Sequence, residues 1–499
     1  MRIKRIKLLL LFSLFIFHGV YPQDDHSQYN CLSILVCKEA TVDGSMLFAH
    51  NEDDPGINLV NWYKVPRLSH QKGENISLIN NGQIPQVDET FSLLWLEMPG
   101  QTFSDSYMNE WGVTITSNAC QSKEETPDLI DDGIGYYLRR IMAERAKTAK
   151  EAVKIGGLIV DSIGYAGSGR TYCIADPNEA WMMSIVQGKH WVAEKIPDDH
   201  ISIIPNYYTI QEVDLTDTLN FLGSPDIVDY AIKRGWYDPE SGNNFNFRLA
   251  YGKPSEINSV RNMARNWGAT NLLSAIEYDI SDDFPFSFKP KEKVSIQDLM
   301  NVLKYHYEDT KLEDKTISSP HDYDILPICR KDTQYGMIAQ LRNWLPIDIG
   351  SVLWLAPHRP CSQVFIPWYF GITKIPPEFN MGDYNSSLEN HFNKYDDIIS
   401  ETSIHNFWDY ANYSEEVDKN YYELIPIIKE NKQVVQRRVF EEYNNFDKNI
   451  LDLYEKSPQS ASDSINIFTT KMLHKSLNYM DLNKQKGGND ETTNKKGIF

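Results

Sequence analysis

Cys31 has the clearest capacity for covalent chemistry in this 499-residue chain, provided it becomes the first residue of the working protein. A sulfur attacks an acyl carbon as its thiolate, and a free cysteine, with a pKa of ~8.5, is mostly protonated at neutral pH. An N-terminal cysteine carries its own base. Its α-amine, with a pKa of ~7.7–8.0, is partly neutral near pH 7 and can take the thiol proton directly or through one water. No distant histidine is then required, as in the N-terminal threonine arrangement. A β-like run follows, Leu32 to Val36, then a turn at Asp43-Gly44 and a second β-like run, Met46 to Ala49. It ends in the polar cluster His50, Asn51, Glu52, Asp53 and Asp54. This reads as a hairpin with a nucleophile at its first residue and a polar wall at its far end. Taken alone, such a cysteine is more often structural than catalytic, paired with Cys37 or Cys120 or simply buried.

The elements that must hold this hairpin follow in order. Asn109-Glu110-Trp111-Gly112 feeds the β-branched run Val113 to Asn118, a hairpin signal. Tyr136 to Val160 has helical periodicity, and its Lys and Arg read as a solvated face. Gly133-Ile134-Gly135 before it is no dinucleotide fingerprint, because Leu138 occupies the third glycine position. Thr171 to Trp181 and Met182 to Val192 read as a strand–turn–strand with Asp176-Pro-Asn-Glu as the turn, and a further strand, Ile201 to Ile210, contains Asn206. Arg261 and Arg265 lie one helical turn apart, a spacing more common in surface ion pairs. Ser295 with Asp298 forms a capping-box start for a helix to Tyr305. Residues 337–372 are β-rich and finish a sheet, while 400–480 are helical by pattern.

Composition limits the partners. The 41% hydrophobic and 12% aromatic content supports a sizeable core. A net charge of −20 has the wrong sign for nucleic acid or an anionic membrane. Arg2, Lys4, Arg5 and Lys7 precede an apolar run from Leu8 to Phe17, which is too short to span a bilayer. This is a signal-peptide pattern ending near residue 23. It leaves Asp24 to Asn30 as a propeptide and implies a secreted, secretory, endolysosomal or periplasmic destination with no stable membrane anchor. If Cys31 is the nucleophile, five of the six cysteines remain, and the sequence does not pair them. No CxxC or HExxH is present, so neither a metal centre nor any other cofactor is expected.

From Cys31 onward the sequence resembles the cysteine dipeptidases of the N-terminal-nucleophile (Ntn) hydrolase superfamily, the dipeptidase A and secernin-like family related to choloylglycine hydrolases. The matching residues are Cys31, Ile34-Leu35-Val36, Lys38, Ala40, Asp43-Gly44-Ser45 and Ala49-His50-Asn51-Glu52-Asp53, with collinear motifs to about residue 430. His50 stands where the resembling enzymes commonly carry Arg, which would let activity follow a histidine titration. The resemblance implies an α+β fold, an αββα four-layer sandwich of two antiparallel sheets flanked by helices, with a helical C-terminal extension. It divides the chain into a signal peptide (1–23), propeptide (24–30), catalytic domain (31–400), helical extension (401–483) and disordered tail (484–499). It implies Cys31 as nucleophile, Asn118 and Asn206 on the oxyanion, and Asp53 orienting the amine or the substrate ammonium. His50, Asn51, Arg261 and Arg265 become substrate-binding candidates. The expected reaction is hydrolysis of small peptides. The resembling enzymes are often oligomeric, so a homo-oligomer is expected, although no residue marks an interface. An N-acyl amide acylase of the same fold and a non-catalytic secernin-like protein are the alternatives.

Overall fold

The computed structural model describes residues 30–79, 82–393, 400 and 403–487. The expected signal peptide and residues 24–29 of the expected propeptide lie outside these. Two antiparallel sheets dominate. One has six strands, in spatial order Ile201–Ile204, Leu32–Val36, Met46–Asp53, Thr333–Leu341, Ser351–Pro357 and Ile366–Tyr369. The other has eight, in the order Phe221–Gly223, Trp191–Lys195, Ala180–Gly188, Tyr165–Ala175, Thr114–Ala119, Ser106–Asn109, Leu93–Glu97 and Asn61–Val65.

Strand alternation explains the layering. In the larger sheet Trp62, Leu94, Leu96, Met108, Cys173 and Met182 join the core shared with the smaller sheet. Their neighbours Tyr63, Trp95, Tyr107, Tyr172 and Met183 point the other way, onto Leu138, Ile141, Met142 and Val153 of the covering helices. On the smaller sheet, Trp354 packs on Phe440 and Tyr443, and Tyr369 on Phe446 and Phe468. Those four partners sit on the long helices Tyr421–Lys456 and Pro458–Gly487. The order is helix, sheet, sheet, helix. The C-terminal helices therefore form the outer layer over Ser351–Pro357 and Ile366–Tyr369, while the helices Val260–Leu273 and Ile296–Leu303 cover Ile201–Ile204 and Met46–Asp53.

Three expectations are corrected. The helix assigned to Tyr136–Val160 is two helices, Tyr137–Arg145 and Ala149–Ile163, because Ala146 is extended and the Thr148 side chain caps the second by accepting from Glu151 N at 3.1 Å. The first of these helices does not present only solvated charge: Arg139 is buried. Residues 484–487, placed in the tail, continue the last helix. Among the described residues no helix is long and apolar enough to cross a membrane.

Residues 304–332 join the helix Ile296–Leu303 to the strand Thr333–Leu341 with one short 3-10 turn, Pro320–Asp322, as their only regular structure. Irregular connections of that length are uncommon in a packed domain unless something holds them.

Candidate active site

The hairpin forms as the sequence indicates. Gly44 takes a positive φ of 82°, and Asp43 Oδ1 accepts the Ser45 amide at 3.0 Å, closing the turn. Ser33 pairs with His50 and Leu32 with Asn51. Cys31, one residue before the strand, is thereby brought to Glu52. Its Sγ donates to Glu52 Oε1 at 3.1 Å and lies 3.8 Å from the Asp53 carbonyl. Cys31 is only 3% exposed, and its nitrogen is still in the peptide bond to Asn30. Burial, followed by the charges of Glu52, Asp53 and Asp54, pushes its thiol well up. With its nitrogen in that peptide bond, Cys31 is a protonated thiol beside a carboxyl group.

The sequence marks Glu52 only as part of the polar cluster, yet its carboxyl accepts the hydrogen bond of the sulfur. Alternation along Met46–Asp53 sets His50 and Glu52 on one face and Asn51 and Asp53 on the other. Burial raises the Glu52 carboxyl to about 8, while Arg139 and Arg170 oppose the shift. Arg139 reaches Glu52's surroundings from the first covering helix and bonds the Asp105 and Phe103 carbonyls and Ser117 Oγ. His50 lies between Ser33 Oγ at 2.8 Å from Nδ1 and Glu52 Oε2 at 3.1 Å from Nε2. Burial, then the Arg139 charge, lowers it to about 3. The expected histidine titration is therefore absent from the useful pH range.

Asn118 and Asn206 separate by their hydrogen bonds. Asn118 Oδ1 accepts from Ser33 Oγ at 2.6 Å and Nδ2 donates to the Ile204 carbonyl at 3.1 Å, so this residue braces the two sheets. Asn206 has its Oδ1 on Arg265 Nη1 at 3.0 Å, but its buried Nδ2 has no partner. A buried amide donor without an acceptor costs ~1–3 kcal/mol, so its retention suggests use.

Arg265 is fully buried and Arg261 is exposed. Arg265 Nη1 donates to the carbonyl of Asn30 and, at 2.7 Å, to that of Cys31. Arg261 offers Arg265 only its backbone carbonyl, at 3.2 Å. Asn51 does not face the sulfur: its Nδ2 ties the Leu303 and Ile328 carbonyls at 2.9 and 3.0 Å. Asp53 accepts from Thr333 Oγ1 at 2.6 Å through Oδ1, and its buried Oδ2 has no partner.

Three adjacent carboxyls are thus held above their usual range chiefly by burial, Asp53 to about 7 and Glu52 and Asp54 to about 8. Each binds its proton more tightly folded than unfolded. Between about pH 4 and 8 the folded chain carries more protons than the unfolded one, so its stability falls as pH rises through that window. A Cys31→Ala chain should therefore melt at lower temperature at pH 8 than at pH 5.5, and adding Glu52→Gln should flatten the slope. Thermal scans across pH check this, and a Tm that rises with pH contradicts it.

The sequence profile of peptidase family C69 matches residues 30–420. A "Probable dipeptidase" of Latilactobacillus sakei is 29% identical over 356 residues, covering 68% of this chain and 74% of the relative. A "Probable dipeptidase" of Salmonella dublin is 28% identical over 364 residues, covering 70% and 83%. "Dipeptidase A" of Lactobacillus helveticus is 26% identical over 382 residues, covering 71% and 79%. Penicillin V acylase from Agrobacterium tumefaciens superposes with a TM-score of 0.34 at 11% identity, covering 68% of this chain and 86% of that one.

Proposed function

The chain belongs to peptidase family C69, and on that premise we propose that it is a cysteine-type dipeptidase whose nucleophile is Cys31 after cleavage of the Asn30–Cys31 bond. The observation that carries the reading is the arrangement around that bond. The sulfur rests on a carboxyl group, the Asn30 carbonyl rests on Arg265, and a partnerless amide stands beside the same guanidinium.

Self-cleavage uses these groups in turn. Where the Glu52 carboxyl, held up to about 8, is ionised, Cys31 Sγ gives it the thiol proton and attacks the Asn30 carbonyl carbon. Arg265 stabilises the oxygen as it becomes negative. The C–N bond breaks, the proton passes to the Cys31 nitrogen, and a thioester remains, which water opens to the Asn30 carboxylate and the free thiol. The new α-amine is then the base for turnover. A dipeptide carbonyl takes the place vacated by the Asn30 carbonyl. Arg265 and Asn206 Nδ2 donate to its oxygen, while Asp53 Oδ2 receives an ammonium group. The first product leaves as an amine, and water releases the second from sulfur. Export by the N-terminal leader would deliver this activity outside the cytoplasm, and sequencing the N-terminus of protein recovered from an expressing cell's secretory fraction tests that placement.

The test of the function is a substrate panel on the processed protein. Unblocked dipeptides should be cleaved at least tenfold better, by kcat/KM, than N-acetylated dipeptides and N-acyl amides. A preference for N-acyl amides would favour the acylase alternative. No turnover of either class by a chain that begins at Cys31 would favour the non-catalytic one.

A further inference from the structure

We propose that His306, His321, Cys329 and Cys361 form a structural zinc site, separate from the nucleophile centre. The expectation of no metal centre rested on the lack of a local ligand motif. Here the ligands are spread from residue 306 to residue 361 and meet only in the fold. One donor atom from each residue lies within 4.8 Å of the other three, and all four side chains are buried.

The spacing fits a tetrahedron. His306 Nε2 and His321 Nε2 are 3.0 Å apart, and His321 Nε2 is 3.5 Å from Cys361 Sγ and 3.8 Å from Cys329 Sγ. With metal–nitrogen bonds near ~2.05 Å and metal–sulfur bonds near ~2.3 Å, a tetrahedral centre sets its donors about 3.3–3.8 Å apart. Two neutral histidines and two thiolates exactly offset one divalent ion, with two protons released on binding. The combination of sulfur and imidazole favours zinc over calcium or magnesium.

The outer contacts orient both rings. His321 Nδ1 meets Asp418 Oδ1 at 2.7 Å, and His306 Nδ1 meets Glu308 Oε1 at 3.3 Å. A carboxylate on Nδ1 holds the proton there and leaves Nε2 as a lone pair, the arrangement common to zinc-bound histidines. Two Nε2 atoms 3.0 Å apart need a proton or a metal ion between them, and with a carboxylate on each Nδ1 a metal ion meets that need. Asp418 is itself fixed by the buried Arg359. A cleft of about 620 Å³ has His306 and Cys361 in its wall, which gives an ion a route in.

The site would also account for the long irregular connection. His306, His321 and Cys329 all belong to residues 304–332, and Cys361 follows the strand Ser351–Pro357. The ion would pin that connection just before Thr333, which holds Asp53, and beside Ile328, whose carbonyl Asn51 grips.

Metal analysis of purified full-length protein tests the proposal. Wild type and a Cys37→Ser control should each hold about one zinc per chain after gel filtration, and Cys361→Ser should lose at least nine-tenths of it. Asp418→Asn, which keeps all four ligands, should release zinc to a chelator at ten- to a hundredfold lower chelator concentration. Cobalt added to protein stripped of zinc should give the sulfur-to-metal charge-transfer band of a tetrahedral site. The proposal is overturned if wild type holds no zinc and takes up neither zinc nor cobalt after refolding. It is equally overturned if non-reducing peptide mapping finds Cys329 and Cys361 joined as a disulfide.

Discussion

Cys31→Ala should abolish dipeptide hydrolysis, on the order of 10⁴-fold or more in kcat, and should leave the chain uncut at Asn30–Cys31. Both effects have one cause. The sulfur is the atom that forms the bond to carbon in cleavage and in turnover, and no other group at the site can take that role. Glu52, whose Oε1 accepts the thiol hydrogen bond, takes its proton when ionised and cannot itself be displaced into the nucleophile's place. The methyl group of alanine fits the space of the thiol, so the fold should survive, with Arg265 still bound to the Asn30 and Cys31 carbonyls. Intact mass and dipeptide assay on the same preparation check the result together. A variant that is cut at residue 31, or that hydrolyses dipeptides within tenfold of wild type, would remove Cys31 from the mechanism.

Asn206 should give the next largest effect, and two substitutions distinguish its possible roles. Its Oδ1 holds Arg265, while its Nδ2 is buried and unpartnered. If the residue serves only to hold Arg265, Asn206→Asp should retain activity, because a carboxylate accepts from a guanidinium at least as well. If Nδ2 donates to the oxyanion, Asn206→Asp fails, because it sets an acceptor against a developing negative charge. The expected outcome is a fall of about 10²–10³ in kcat for both Asn206→Ala and Asn206→Asp, with KM changed less than fivefold. Steady-state kinetics on chains confirmed to begin at Cys31 measure it. Near wild-type kcat for Asn206→Asp would reassign Asn206 to a positioning role.

The parts of this account that were legible in the sequence are those set by short-range physics. A turn with Asp43-Gly44 between two apolar runs could hardly be anything but a hairpin, and it places a cysteine opposite a polar end. What the sequence hid depends on side chains meeting across the sandwich. Asn118 and Asn206 look alike as asparagines near strand ends. Only the fold shows that the Asn118 amide is committed to Ile204 while that of Asn206 is not. Arg261 and Arg265 are one turn apart, but helix packing buries one and exposes the other. Arg139 looked like a surface charge because periodicity does not reveal that a long side chain can run inward to Ser117. Glu52 could have been separated from Asn51 and Asp53 by period-two alternation, given that His50 pairs with Ser33. The four proposed zinc ligands carry no local signal, since three are spread through one irregular connection and the fourth, Cys361, follows a later strand.

The long C-terminal helices bear on the site as well. Through Trp354, Tyr369 and their aromatic partners they cover the outer face of Ser351–Pro357 and Ile366–Tyr369, the far half of the sheet that carries the Cys31 hairpin. Arg342, at the end of the strand next to the hairpin, is bound to Asp447 of the first long helix at 2.6 Å. The backbone that positions the nucleophile is thus packed from behind by residues far along the chain.

The most direct measurement is the N-terminal sequence and intact mass of the purified wild-type protein. The account requires a chain that begins at Cys31, with a free α-amine next to the thiol. A catalytically active chain that still carries Asn30 would contradict it, because the base on which turnover depends would be locked in a peptide bond.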